Sequence, residues 1–401
     1  MAETRSGVSR RGFLKGSAMG VAALTLTDRV LDPVWQGLAR LGVPTPWYRQ
    51  GPIKTTYNYC DMCPWRCGIV VQTVNGRVCK IDGNPKDPKS RGMLCGRGQA
   101  GVSFTYDPDR LTQPMIRSGA RGAGEFRKVS WTEALDYTAE KLLKIKDEYG
   151  PESVAFFGHT SGDFWFTDYI PQAWGSPNAA KPSMSLCTSP REEAALLTFG
   201  RSIGNHEPVD WDAARCIVLI GTHIGEDSRN TMMQDFANAR GRGAKVIVMD
   251  PRFSSVGMKA DTWLPIKPGT DIALLLAWMN VLIGENLYDR EFVARWTVGF
   301  DQLAAHVKPF TPEWAAPITD LPADQIRAAA RLFGEARPQA VIVPGRHVTW
   351  YGDDTQRMRA VYIVNALVGA LGRPGGLYFN KPPFIDEHSH PPYAVTGGAG
   401  G

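Results

Sequence analysis

Hydrophobic positions along the chain fall into short runs whose spacing switches between two and three-to-four residues, and those switches predict the elements. Gly68-Ile-Val-Val-Gln-Thr-Val-Asn75-Gly76-Arg-Val-Cys79-Lys-Ile predicts two strands turning at Asn75-Gly76, a dipeptide suited to tight hairpins. Ser130-Trp-Thr-Glu133 is a capping box. Leu135, Thr138, Leu142 and Ile145 then repeat at helical spacing until Gly150, so a helix with one apolar face is expected, followed by a short buried strand over Ser153 to Gly158. The clearest unit runs from Arg215 to Asp271, with a strand over Cys216 to Ile220, a helix over Asn230 to Arg242 stopped by Gly243, and a strand over Lys245 to Met249. Gly269-Thr270-Asp271 opens another helix over Ile272 to Glu285, with Asp271 placed as its N-cap. A helix over Asp324 to Ala336, a strand over Ala340 to Val343 and a helix from about Thr355 to Leu371 complete the pattern. Strands alternating with helices predict an α/β protein with Rossmann-like open, mostly parallel sheets.

In the βαβ unit, Asp250 stands at the carboxyl end of the second strand, where nucleotide-binding sheets commonly bond a ribose or base. The usual glycine fingerprint is absent, and Gly221-Thr-His-Ile-Gly225 is a loose substitute. The loop Pro344-Gly-Arg346-His347-Val-Thr-Trp-Tyr-Gly352 follows another strand and carries cationic groups.

Composition narrows the class without changing the pattern. A chain of 401 residues has room for two or three domains, and 43% hydrophobic with 21% charged residues is ordinary for a soluble globular protein. A net charge of +5 is slight at this length and lies partly in Arg5, Arg10, Arg11 and Lys15, which gives no nucleic-acid surface. Seven cysteines without disulfide-like spacing exclude a secreted disulfide scaffold.

The cysteines carry the candidate chemistry. Cys60, Cys63, Cys67 and Cys95 form a C-x2-C-x3-C-x27-C set, open to a tetrahedral zinc site or to a 4Fe-4S cluster. Three from one loop with a lone fourth favours the cluster, since zinc sites usually draw two short pairs. Cys79, inside the second predicted strand, reads as a small packed side chain. Ser9-Arg10-Arg11-Gly12-Phe13-Leu14-Lys15 before the apolar run Gly16 to Leu26 is a twin-arginine export pattern. Residues 30–50, with Pro33, Pro44 and Pro46, read as a linker.

With these cysteines, the export signal, Met249-Asp-Pro-Arg252 and Pro268-Gly-Thr-Asp271, the chain resembles the molybdenum bis(molybdopterin guanine dinucleotide) oxidoreductases of the dimethyl sulfoxide reductase family. Cys-x-x-Cys-Pro-Trp-Arg-Cys and Pro-Gly-Arg346-His-Val-Thr-Trp-Tyr-Gly resemble its polysulfide and thiosulfate reductase catalytic subunits most, over roughly Thr55 to Phe379. The resemblance implies a multi-domain molybdopterin oxidoreductase fold. Residues 1–40 would be signal and linker, 52–108 a 4Fe-4S domain, 109–205 plus 338–380 a discontinuous α/β domain, 206–337 a Rossmann-like guanine-dinucleotide domain, and 381–401 a tail.

It further implies that Cys60, Cys63, Cys67 and Cys95 ligate a 4Fe-4S cluster and that Arg97 bridges cluster and pterin. Cys187 would ligate molybdenum, while Gly221, Glu226, Asp250, Arg252, Gly269, Thr270 and Asp271 would hold a guanine dinucleotide arm. Arg346 would bind an anionic sulfur substrate and His347 supply a proton, with His159 a further candidate. The implied function is an anaerobic respiratory reductase that cleaves the S–S bond of polysulfide or thiosulfate at a molybdenum centre, releases sulfide, and draws electrons through the cluster. The implied partners are a multi-cluster ferredoxin-like subunit and a quinone-linked membrane anchor, in the periplasm after twin-arginine export. Tetrathionate or arsenate reduction, a molybdenum-free electron-transfer subunit, and a zinc-binding module are the other readings. Family members continue into a domain that closes over the pterins, so the resemblance makes this chain a fragment or a protein lacking that lid.

Overall fold

The computed structural model describes residues 51–63, 65–158, 169–180, 189–203, 209–222, 224–226, 230–344 and 352–379. The chain divides into two compact units at Pro108/Asp109.

In the first unit, β1 (Ile53–Tyr59), β2 (Gly68–Val74) and β3 (Arg77–Gly83) form an antiparallel sheet in that order. The β2–β3 turn falls at Asn75 and Gly76, with φ of 50° and 78°, as the dipeptide predicts. β1 adds a strand the sequence pattern does not announce, every residue of which is exposed. Its full pairing with β2, from Ile53↔Val74 to Tyr59↔Gly68, makes residues 60–67 the connection between them. Two short helices follow, α1 (Gly96–Gln99) and α2 (Gly101–Thr105). Among the described residues of this unit only Cys67, Ile69 and Val74 are buried apolar side chains.

The second unit opens with the hairpin β4 (Met115–Arg117) and β5 (Phe126–Lys128) and the helix α3 (Trp131–Tyr149). Half of the capping box forms, with Ser130 Oγ accepting from the Glu133 amide at 3.1 Å, while the Glu133 carboxylate pairs with Arg127 instead. The expected packing of the helix does not: none of its residues is buried, and Leu135 is 62% exposed. The strand expected over Ser153 to Gly158 shrinks to β6 (Phe156–Phe157), because Pro151–Ser153 forms a 3-10 turn. After α4 (Ile170–Trp174), β7 (Ala179–Ala180) pairs with β6 in a separate two-stranded sheet, and Phe157 is 69% exposed. Next comes α5 (Ser189–Phe199).

The main sheet is wholly parallel, ordered β10 (Thr262–Leu264), β9 (Lys245–Met249), β8 (Cys216–Ile220) and β11 (Ala340–Pro344). α6 (Met233–Gly241) joins β8 to β9 as the sequence predicts. β11 lies beside β8, so the sheet crosses the division expected at 337/338. Between β10 and β11 come α7 (Asp271–Gly284), α8 (Arg290–Trp296), α9 (Phe300–His306), α10 (Pro312–Thr319) and α11 (Ala323–Glu335). α7 is apolar nearly all round and accordingly buried, with Leu274, Leu275, Trp278 and Leu282 inaccessible. Each such aliphatic side chain contributes about 1.5–3 kcal/mol by leaving water. α12 (Asp354–Leu367) packs on both α5 and α7. Its buried Asn365 accepts from the Ile342 amide at 2.9 Å and donates to the Ile342 carbonyl at 3.3 Å, occupying the edge of β11. Among the described residues no helix is long and apolar enough to cross a membrane.

Candidate functional site

The β1–β2 connection is a cysteine loop. The Cys60 amide donates to the Cys67 carbonyl at 2.8 Å, so the loop bearing Cys60, Cys63 and Cys67 closes on itself. Cys95 arrives from elsewhere, at the residue before α1, whose amino-terminal amides of Arg97 and Gly98 face its sulfur. At Gly98 a Cβ would stand 2.4 Å from Leu94 Cδ1, which a side-chain shift would have to relieve, and 3.3 Å from the Cys60 sulfur, so the helix start lies against Cys60. The fourth cysteine is thereby seated against the first.

The thiols are electrostatically unlike. Burial pushes the Cys60 thiol up, and the neighbouring sulfurs of Cys63 and Cys95 add to this against the Met62 amide. Burial also acts to raise Cys95, but the Gly98 and Arg97 amides and the Arg97 guanidinium outweigh it and hold that thiol below its ordinary value. Among the described residues no three His, Cys, Asp or Glu side chains gather around a point as a single metal ion needs. A buried thiol that no motif announced, Cys216 on β8, is pushed up to about 12 by burial and is inert.

The second cluster of candidates lies at the carboxyl edge of the main sheet. The chain leaves β8 for β9 and β10 on one side and returns as β11 on the other, so β8/β11 is a switch point, where open α/β sheets bind ligands. Gly221, φ 54°, turns the chain off β8, and buried Thr222 donates its hydroxyl to the carbonyls of Ile220 and Val343 at 3.2 and 3.3 Å. That tie across the switch point has no sequence signature. Asp250 is buried and accepts from the Arg252 amide at 2.8 Å. Glu226 accepts from the Arg252 guanidinium and the Ser255 amide, joining the segment after β8 to that after β9. The Ser255 amide first, then the Arg252 charge, hold its carboxyl below the usual range against slight desolvation.

Glu226→Ala is expected to lower stability by about 1 kcal/mol, the scale of a lost hydrogen-bonded partner. Because the folded state depresses this carboxyl, its contribution is present above the ordinary glutamate range and is lost as pH falls through the folded value. Denaturation midpoints of wild type and variant should therefore converge on acidification.

Asp271 departs from its expected role. Thr270 occupies the N-cap position of α7, its hydroxyl donating to the Lys267 carbonyl at 2.7 Å, and Asp271 is the first helical residue. Its buried carboxylate lies 3.3 Å from Nε of Arg357, whose guanidinium also meets Asp354 at 3.1 Å and the carbonyl of Gly269 (φ 83°) at 3.4 Å. Burial pushes Asp271 up, with Arg357 opposing. Arg357 is a residue sequence reasoning missed, lying 3% exposed on an apolar helix face 86 positions from its partner. Cys187, Arg346, His347 and His159 fall outside the described residues.

A family model described as molybdopterin oxidoreductase matches residues 110–397, and one for the molybdopterin oxidoreductase Fe4S4 domain matches residues 53–107. The chain belongs to the molybdopterin oxidoreductases. Its cofactors are accordingly a 4Fe-4S cluster and a molybdopterin, and both donor sets described above fit them. Four soft sulfur donors suit iron, and buried acids among left-handed glycines at a parallel sheet's carboxyl edge suit a dinucleotide. This molybdopterin oxidoreductase is 37% identical over 374 residues to the thiosulfate reductase molybdopterin-containing subunit PhsA of Salmonella typhimurium, covering 93% of this chain and 48% of the relative. It is 30% identical to dimethyl sulfoxide reductase DmsA of Escherichia coli, covering 92% and 50%. The chain thus spans about half the length of these relatives. Among solved structures, acetylene hydratase from Pelobacter acetylenicus matches with TM-score 0.67 and 30% identity, over 79% of this chain and 43% of that one. A hydratase on the same fold means that the fold alone leaves the reaction open.

Proposed function

We propose that the chain belongs to the catalytic subunit of an anaerobic respiratory reductase that cleaves the S–S bond of thiosulfate or polysulfide and releases sulfide. The observation that carries a redox role is the four-cysteine set, with Cys60, Cys63 and Cys67 on one loop closed by the Cys60–Cys67 backbone bond and Cys95 delivered beside Cys60. The likeness to a thiosulfate reductase subunit over 93% of the chain supports the substrate.

When bound, the molybdenum bis(molybdopterin guanine dinucleotide) supplies the two-electron chemistry. The protein residues bind, orient and protonate. Cys60, Cys63, Cys67 and Cys95 would hold the cluster, and Arg97 would be its charged neighbour. Gly221, Glu226, Asp250, Arg252, Gly269, Thr270 and Asp271 hold a guanine dinucleotide arm, and Cys187 supplies a thiolate to the metal. Arg346 binds the anionic substrate and stabilises charge growing on the parting sulfur, to which His347 delivers a proton. In this reading residues 1–40 export the folded protein to the periplasm. A multi-cluster ferredoxin-like subunit and a quinone-linked membrane subunit supply electrons. Residues 381–401 form a tail.

Anaerobically purified native protein is expected to oxidise reduced methyl viologen with thiosulfate or polysulfide, release sulfide, and contain both iron and molybdenum. Turnover of arsenate or tetrathionate alone would replace the substrate. Iron without molybdenum would leave only electron transfer.

A further inference from the structure

The loop between β3 and Cys95 bears no cysteine, yet it grips the three-cysteine loop at several points. Asp87 Oδ2 accepts from the amide of Gly68, the residue after Cys67, at 3.0 Å. The same oxygen accepts from the Ser90 amide at 2.9 Å and from the Ser90 hydroxyl. The Gly68 carbonyl in turn accepts from the Asn84 amide at 2.9 Å, so both polar backbone groups beside Cys67 are held by this one loop. Lys89 Nζ donates to the carbonyl of Trp65, between Cys63 and Cys67, at 2.6 Å and lies 4.1 Å from the centre of its ring. The loop closes through Gly92 N to Asn84 O at 3.0 Å. At Gly83 a Cβ would stand 2.2 Å from the Gly92 carbonyl oxygen, so only glycine admits that closure. Ser90, 2% exposed, then accepts from the Met93 amide at 2.8 Å, two residues before Cys95.

We propose that Asp87 is a positioning residue for the iron–sulfur ligands, its carboxylate clasping the Cys60–Cys67 loop to the segment that delivers Cys95. The carboxylate oxygen receives a donor from each side of the ligand set, one beside Cys67 and two at Ser90. Among the described residues the unit has few buried apolar side chains, so polar ties carry much of the distance between them, and three of those ties end on Asp87. Loss of such an outer hydrogen-bonding partner typically costs a metal site about 10- to 100-fold in affinity. The inference rests on the cluster assignment and not on the sulfur chemistry, so absence of thiosulfate turnover in an iron-replete protein leaves it untouched.

The test compares wild type, Asp87→Ala, Asp87→Asn and, as a control on the same strand system, Asp82→Ala, whose carboxylate pairs only with Lys80 in the described contacts. Two quantities are read on the anaerobic, iron-loaded full chain: the rate at which an iron chelator bleaches it, and hydrogen exchange at the Cys60 amide, which bonds the Cys67 carbonyl and not Asp87, normalised to the Leu275 amide of α7. Asp87→Ala is expected to speed iron loss about tenfold, the lower end for outer-shell losses, and to speed exchange at Cys60. Asp87→Asn keeps an oxygen acceptor and should stay close to wild type, as should Asp82→Ala. If Asp87→Ala fails to accumulate, Ser90→Ala removes one donor while leaving the carboxylate, and a smaller rise at Cys60 is expected. Iron retention and Cys60 exchange at wild-type levels in Asp87→Ala or, in its place, Ser90→Ala overturn the proposal. So does equal acceleration in Asp82→Ala.

Discussion

Serine in place of Cys67 leaves the chain without its iron and without a stable first unit. Iron should fall from about four atoms per chain to near zero, with loss of the brown absorbance, and viologen-linked turnover should drop about 100-fold or more. Cys67 is chosen because it is the buried member of the set, at 7% exposure, and its carbonyl closes the ligand loop on Cys60. The effect extends past the metal. With Cys67, Ile69 and Val74 as the buried apolar residues described there, residues 53–107 have too little core to stay folded alone. Hydrogen exchange across β1 to β3 should therefore rise to nearly unprotected rates in the variant. A variant that keeps its iron, or loses iron with exchange unchanged, would contradict the role given to the cluster as the core of this unit.

Arg357→Met is expected to destabilise the second unit by about 3–5 kcal/mol, the scale of a buried ion pair broken on one side. Asp271 and Arg357 side chains are 11% and 3% exposed, so water cannot replace the lost partner. Burial already pushes the Asp271 carboxyl up, and removing the opposing guanidinium pushes it further. The folded variant therefore binds a proton more readily than its unfolded chain, and stability falls as pH rises between the ordinary aspartate value and the raised one. The deficit should be largest at neutral pH and shrink on acidification. Asp271→Asn added to Arg357→Met removes the stranded charge and should restore part of the loss. Urea midpoints followed by tryptophan fluorescence of wild type, each single variant and the double variant complete the cycle, and an additive double variant would exclude the coupling.

Much of the fold was legible because its signals are local. The β8–α6–β9 crossover shows in apolar runs of strand length and a glycine stop, and the β2–β3 hairpin in Asn75-Gly76. The helices α8 and α10 went unread although their caps are plain: Asp289 accepts from the Phe292 amide at 2.8 Å, and Thr311 stands before Pro312. The face of α3 was read correctly as apolar but not as exposed, since burial depends on what lies opposite and not on the helix itself. The cysteine set was visible as spacing. Its brace was not, because Asp87 acts through Gly68, 19 residues away, and Arg357 reaches Asp271 across the long connection from β10 to β11. Pairings set by chain return leave no periodic trace.

The position of β11 has a consequence for synthesis. β8 can pair with β9 as soon as residue 249 has left the ribosome, but its other edge waits for residues 340–344. Throughout that interval five fully apolar residues, Cys216 to Ile220, present an open row of amides and carbonyls to the cell. Closing so long a loop is slow relative to local pairing. The nascent chain is thus most vulnerable to wrong pairing between those two points, and a chaperone that shields the growing polypeptide has most to gain there.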